Sequence, residues 1–281
     1  MPTLSLALFG APTITLEQQN VHIGRRKAVA LLAYLAVTQR PQSRAHLAAL
    51  LWPDYDESSA RGELRRALST LNQCLGADRL DADRSQVALS RASDLHVDIV
   101  AFRERLAVAR HGSADRQTAL RAAVALAQAE FMAGFTMDDA PDFEEWQRFE
   151  AGALRRDLAW ALAQLAQPTV TPDLASALTY ATRWLALDPL DEAAHRRLMK
   201  LHAATGDPNA AYRQYQECKQ LLAQEVDAPP APETTALYEQ IRAGKFPIGL
   251  ATPARQNSEP PAPRHPAPSS RPPHPLHRPR P

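Results

Sequence analysis

The feature that most constrains the fold is an amphipathic, arginine-rich stretch over residues 58–76. At about 100° per residue, its apolar residues share one arc of a helix, and its cationic and amide residues share another. The apolar arc consists of Ala60, Leu64, Ala67, Leu68, Leu71 and Leu75. The second arc consists of Arg61, Arg65, Arg66, Ser69, Asn72 and Gln73, with no carboxylate among them. The stretch is therefore predicted to pack on a core through one face and to present guanidinium and amide groups on the other.

This helix has two interpretations when it is considered alone. A solvated amphipathic helix is the ordinary explanation of a single basic stretch. Arginine and amide side chains are also the groups that hydrogen-bond guanine and adenine edges in the major groove of DNA. The segments on either side of the helix decide between the two.

The segments before the helix predict a small sheet and two further helices. Residues 4–8 alternate between apolar and other side chains, and residues 14–23 contain two more short alternating runs, which predicts an antiparallel sheet. Residues 25–38 repeat apolar side chains at i, i+3, i+4 and i+7, the period of a helix. A second helix is predicted over residues 44–52, with Ser43 as its N-cap.

The segment after the helix predicts a hairpin, because Gly76 can end the helix and Val87 and Leu89 alternate with polar neighbours. Strands, three helices and a hairpin, in this order, predict a winged helix-turn-helix. More specific features are Arg26-Lys27-Ala28, Leu31-Leu32-Ala33-Tyr34-Leu35-Ala36, Arg40-Pro41, Ser43-Arg44, Leu50-Leu51-Trp52-Pro53 and Leu64-Arg65-Arg66-Ala67-Leu68-Ser69. With them, residues 1–95 resemble an OmpR/PhoB-type DNA-binding domain, in particular that of AfsR/DnrI/RedD-type regulators.

The second half of the chain is predicted to be nearly all helix. The predicted helices cover residues 99–110, 115–128, 143–165, 173–187, 191–205, 207–224 and 233–243. Ala177 and Ala181 recur as Ala211 and Tyr215, an offset of about 34 residues that is typical of tetratricopeptide repeats. The segments Phe143-Glu144-Glu145-Trp146 and 183–196 resemble the bacterial transcriptional activator domain, which follows the winged helix in the same family.

The predicted fold is thus an α+β winged helix over residues 1–95, an all-α tetratricopeptide-like domain over 96–244, and a tail over 245–281. The first segment has 11 Lys+Arg against 9 Asp+Glu, a net charge of +2, and the second has 15 against 21, a net charge of −6. The tail has 6 against 1, a net charge of +5, and residues 247–281 hold 12 of the 24 prolines. The tail is therefore predicted to be disordered.

The predicted DNA-binding residues fall into two groups. Arg61, Arg65, Ser69 and Asn72 are expected to form the base-facing edge of the recognition helix. The expected phosphate contacts are Arg25, Arg26, Lys27, Arg44 and Arg84, with Arg66 and Gln73 further round towards the DNA backbone. Cations at the start of the helix over residues 25–38 oppose its dipole, and a bound phosphate would offset that cost. Simple solubility is an equally good explanation of those cations.

The sequence contains no motif that predicts an enzyme. It has no phosphate-binding glycine loop and no nucleophile elbow, so we expect no catalytic residues and no cofactor. His195 and His202 have no third ligand at metal spacing beyond Glu192, so no metal site is predicted. Cys74 and Cys218 match no redox spacing, and no signal peptide or long apolar run is present. A cytoplasmic protein without a membrane partner is expected.

The leading hypothesis is a sequence-specific transcriptional regulator that binds double-stranded promoter DNA through its winged helix. The helical domain is expected to form a homodimer on DNA and to contact RNA polymerase or an effector. Activation, as opposed to repression, is implied only by the resemblance. The alternative is a tetratricopeptide-like interaction scaffold whose winged helix docks protein instead of DNA.

Overall fold

The computed structural model of the chain describes residues 3–90, 94–112 and 115–245. The predicted disordered tail, from residue 246 onward, lies outside these residues. Residues 3–90 and 94–97 fold as strands and three α-helices, in the predicted order. The elements are β1 (Leu4–Ala7), β2 (Thr13–Leu16), β3 (Gln19–Asn20), α1 (Arg26–Thr38), β4 (Gln42–Ser43), α2 (Arg44–Leu51), α3 (Glu57–Leu75), β5 (Leu80–Ala82), β6 (Gln86–Leu89) and β7 (Leu95–Val97).

The seven strands form two small sheets. The first has the strand order β3-β2-β1-β7, in which β1 and β2 are antiparallel and β7 runs parallel to β1. The second has the order β4-β6-β5, so that the hairpin of β5 and β6 is extended by the two residues before α2. This is a winged helix-turn-helix with an N-terminal sheet, as predicted.

Seven further helices follow in the described part of the chain. They are α4 (Asp98–Arg110), α5 (Arg116–Leu126), α6 (Pro141–Leu165), α7 (Leu174–Leu187), α8 (Glu192–Ala204), α9 (Pro208–Glu225) and α10 (Pro232–Arg242). Their ends differ from the predicted ends by no more than two residues. The prediction of an all-α second half is therefore confirmed.

The two halves are joined by the backbone as well as by side chains. The amide of Met132 donates to the carbonyl of Leu8 at 2.7 Å, and that of Gly10 donates to the carbonyl of Glu130 at 2.8 Å. Phe9 and Phe131 form the antiparallel bridge between these two bonds. One hydrophobic core accordingly runs from β1 through α6. The predicted boundary after residue 95 falls inside β7, whose residues pair with β1.

Candidate nucleic-acid interface

Helix α3 is positioned by a cap at its start and by its buried face. The Asp56 carboxylate accepts hydrogen bonds from the amides of Ser58 at 3.0 Å and Ser59 at 3.1 Å. The hydrogen bond from the Ser59 side chain, followed by those from the Ser59 and Ser58 amides, lowers the pKa of Asp56 below its ordinary value. Leu64 and Leu71 are fully buried, and the other four residues of the predicted apolar arc are buried as well. The polar arc of α3 is consequently held towards solvent.

The middle of that polar arc meets the wing. Arg65, Ser69, Asn72 and Gln73 line an open depression together with Arg44 of α2 and Ala82 of β5. All four α3 side chains are exposed. Five of the predicted DNA-binding residues, from both the base-facing and the phosphate group, are therefore brought together on one surface, here called the α3–wing surface.

The three arginines of α3 differ in their ion pairs. Arg61 pairs with Glu57 at 2.6 Å, and Arg66 pairs with Glu63. Within the described ranges, no carboxylate lies at ion-pair distance from Arg65. The polar arc itself is free of acids, as the sequence indicates, but acids just outside it reach two of its three guanidinium groups. The Arg61–Glu57 pair is exposed on both sides and contributes only about 0–1 kcal/mol, so a phosphate or base can replace that carboxylate. Glu63, by contrast, is only 21% exposed.

The wing turn places Arg84 at an exposed tip between β5 and β6. The Asp83 carboxylate organises the turn by accepting hydrogen bonds from the amides of Ser85 at 2.6 Å and Gln86 at 2.7 Å. These bonds, first of all that from Gln86, lower the pKa of Asp83. Arg44 Nε donates to the Asp83 carbonyl oxygen at 2.7 Å, which ties α2 to the wing.

The cations at the start of α1 lie elsewhere and already have protein partners. Lys27 Nζ lies 2.8 Å from an Asp139 carboxylate oxygen. Arg26 Nη2 donates to the Thr136 carbonyl at 2.7 Å, and Arg25 lies 3.7 Å from Glu63. Arg26 and Lys27 thus contact the segment before α6, at the joint between the two halves, whereas Arg25 shares Glu63 of α3 with Arg66. The role of the cations at the start of α1 as phosphate contacts stays a prediction. The partners of Arg26 and Lys27 lie more than 100 residues away along the chain, where no sequence pattern indicates them.

The described residues outside this surface offer little chemistry. No group of three or more His, Cys, Asp or Glu side chains in them is placed to hold a metal ion. His195 Nε2 lies 2.9 Å from the Pro189 carbonyl oxygen, and its Nδ1 lies 2.8 Å from the Gln214 amide nitrogen, so both ring nitrogens are engaged. Burial raises the pKa of the Cys218 thiol to about 11, which disfavours the nucleophilic thiolate. None of the described helices is both long and apolar enough to cross a membrane.

The order of a winged helix followed by a helical domain defines a class of bacterial transcriptional regulators. Residues 97–242, more than half of the 281-residue chain, match the bacterial transcriptional activator domain. The chain therefore belongs to this family, and with its winged helix it is a transcriptional regulator of the AfsR/DnrI/RedD type.

A solved structure supports the fold. EmbR of Mycobacterium tuberculosis, in complex with a low-affinity phosphopeptide, matches with a TM-score of 0.71 and 23% identity. The match covers 89% of this chain and 67% of that chain. At this identity the likeness shows the fold alone. A comparison with curated proteins gives no match.

Proposed function

We propose that the chain is a cytoplasmic, sequence-specific DNA-binding regulator that activates transcription from promoter DNA. The observation that carries the proposal is the α3–wing surface. There, Arg65, Ser69 and Asn72 of α3 are exposed beside Arg44, so groups that read bases adjoin a group that holds phosphate. A winged helix inserts such a helix into the major groove while its wing follows the backbone.

In the proposal, the residues at the centre of the α3–wing surface contact bases and those around it contact phosphates. The bases are read by Arg65, Ser69 and Asn72. Arg61, one turn before Arg65, joins them after its ion pair with the exposed Glu57 breaks. Around them, Arg44, Arg66, Gln73 and Arg84 hold phosphates. Arg25, Arg26 and Lys27 are a more distant phosphate group, and they must exchange their present partners to act in this way.

The helical domain has a different role in the proposal. Its net charge of −6 over residues 96–244 disfavours contact with phosphates. We assign to it the contacts with RNA polymerase or an effector, and the pairing of two chains on DNA. No enzymatic activity is part of the proposal.

A mobility-shift titration of the full chain tests the DNA-binding function. The probe is the promoter region of its own gene, titrated at several salt concentrations. Wild type is expected to shift the probe in preference to a scrambled duplex. Arg65→Ala should lose about 1–3 kcal/mol of binding free energy and discriminate less at one base position.

Arg121→Ala is the matched control, because Arg121 is an exposed arginine of the helical domain. It should bind DNA like wild type. Wild-type protein that shows no preference for any promoter fragment would favour the alternative, in which the winged helix docks protein. Unchanged affinity of a folded Arg65→Ala variant would show that α3 does not read bases through Arg65.

A further inference from the structure

A second surface of the molecule has the features of a protein-docking site. It is a cleft of about 520 Å³ between α2 and the first turns of α6, here called the α2–α6 cleft. Ala49 and Leu50 line its α2 side, and Trp146 and Phe149 line its α6 side. Phe149 is 70% exposed, more than any other large hydrophobic side chain in the described residues. An aromatic side chain in such a position has no packing role that accounts for it.

The floor of the cleft consists of packed aromatic rings. The rings of Trp146 and Tyr34 pack edge to face, with their centroids 4.8 Å apart. The ring centroids of Trp146 and Phe143 are 5.2 Å apart. The Tyr34 hydroxyl and His46 Nε2 form a hydrogen bond of 2.8 Å. A preformed aromatic floor beside an exposed phenylalanine lowers the entropy that a partner loses on binding. Aromatic residues of this kind dominate the energetics of protein interfaces.

The rim of the cleft is acidic. Asp142 and Glu145 line it beside Trp146 and Phe149. Neither carboxylate forms an ion pair with any residue in the described ranges. A partner that fits the cleft therefore presents an apolar anchor with lysine or arginine next to it.

A second copy that docks its own cleft against this one does not have that chemistry. In a two-fold symmetric dimer the same patch meets itself. Asp142 and Glu145 would then face the same acids of the other copy, which is unfavourable. A different protein with a basic and apolar segment is the better occupant.

The cleft remains available when the α3–wing surface holds DNA. At about 100° per residue, His46, Ala49 and Leu50 project roughly 140–240° around α2 from Arg44. Arg44 belongs to the α3–wing surface, whereas the other three line the cleft. One helix thus serves two surfaces on different sides.

We propose that the α2–α6 cleft docks a short basic and apolar segment of another protein, with Phe149 as the central contact and Asp142 and Glu145 selecting the basic residues. The inference rests on the proposed regulatory function only in requiring a protein partner. DNA binding is measured separately, so the two can fail independently.

The test uses dodecapeptides selected from a random display library on the full chain. Binders that depend on the cleft are expected to pair a Leu, Phe or Trp with Lys or Arg. In fluorescence anisotropy, Phe149→Ser should weaken the best such peptide at least about tenfold. The double variant Asp142→Lys/Glu145→Lys should weaken it as well. Both variants should still shift promoter DNA like wild type, because neither changes the α3–wing surface.

Val226→Ser and Glu104→Lys are the matched controls, since they change an exposed apolar and an exposed acidic residue outside the cleft. They should bind the peptide like wild type. The proposal is overturned if no selected peptide depends on Phe149, or if the dependent peptides lack basic residues. It is also overturned if light scattering shows that Phe149→Ser converts a dimer into a monomer, because the cleft would then be a self-interface.

Discussion

The carboxylate of Asp98 accepts a hydrogen bond of 2.8 Å from the backbone amide of Leu8. The same oxygen accepts from the amide of Phe9, also at 2.8 Å, and the other oxygen accepts from the amide of Ile99 at 2.7 Å. Asp98 is the first residue of α4, and Leu8 directly follows β1. This buried carboxylate therefore fastens the N-terminal sheet to the first helix of the activator domain.

Replacing Asp98 should destabilise the whole chain. Asp98→Ala leaves three backbone amides without an acceptor, and two of them lie at the joint between the halves. Each lost hydrogen bond to the carboxylate lowers the stability of the folded state. We expect the free energy of unfolding to fall by about 2 kcal/mol. Urea denaturation followed by circular dichroism measures it. Glu104→Ala, at an exposed position of the same helix, should leave the midpoint unchanged. Equal midpoints for both variants would contradict the structural role of Asp98.

The contribution of Asp98 should also depend on pH. Burial raises its pKa above the ordinary value, although the amides of Phe9, Leu8 and Ile99 oppose the shift. A raised folded-state pKa gives stability that is fully present below the unfolded pKa of about 4 and is lost as the pH rises through the folded pKa. The stability difference between wild type and Asp98→Asn should therefore fall from pH 4 to pH 7. A difference that grows over this range would show that the amides outweigh burial.

The elements could be predicted from the sequence where they depend on local patterns. Helices such as α8 have apolar residues at helical spacing, and Ser43 accepts from the His46 amide at 3.1 Å, as its predicted capping role requires. Strands β4 and β7 were missed because they contain two and three residues. They exist only through pairing with β6 and β1, and no local pattern encodes that pairing.

The candidate site could likewise be predicted where it depends on local helical geometry, and not where it depends on distant partners. The polar arc of α3 follows from helical geometry alone, so the exposure of Arg65 and Asn72 was foreseeable. The pair between Lys27 and Asp139 joins residues 112 positions apart in sequence. Such partners depend on how the two halves dock, and the sequence does not reveal that.

Removing Asp139 should strengthen DNA binding if Lys27 contacts phosphate. Asp139 now neutralises Lys27 and would compete with a phosphate for it. We expect Asp139→Asn to bind every DNA sequence a few-fold more tightly at low salt, by the same factor for each. The slope of log affinity against log salt concentration should become steeper by up to about one. Asp157→Asn is the control, because it removes the same charge from an acid that pairs with Arg110. Equal gains in both variants would reflect net charge alone and would count against Lys27.

The wing tip should affect affinity without affecting sequence choice. Arg84 is exposed at the turn between β5 and β6, and our proposal assigns it to the DNA backbone. Arg84→Ala should weaken the binding of cognate and scrambled duplexes by the same factor and make the salt slope shallower by about one. Titrations of both duplexes over a range of salt measure this, with Arg65→Ala as the contrasting variant. Reduced discrimination at an unchanged slope would instead assign Arg84 to base reading.

The full chain should bind paired half-sites far more tightly than a single half-site. The comparison needs the whole chain, because a fragment ending at residue 95 would lose most of β7 and the Asp98 joint. One winged helix reads one half-site, and two held in a dimer gain an effective-concentration factor of about 10²–10⁴.

The probes are duplexes with one half-site, with two half-sites one helical turn apart, and with two half-sites offset by half a turn. The offset duplex is the control, since its half-sites lie on opposite sides of the DNA and a dimer cannot reach both. Wild type should prefer the in-phase pair by at least about a hundredfold over the other two probes. Equal affinity for all three would show that the helical domain does not pair chains on DNA. Its proposed role would then be confined to contacts with polymerase or an effector.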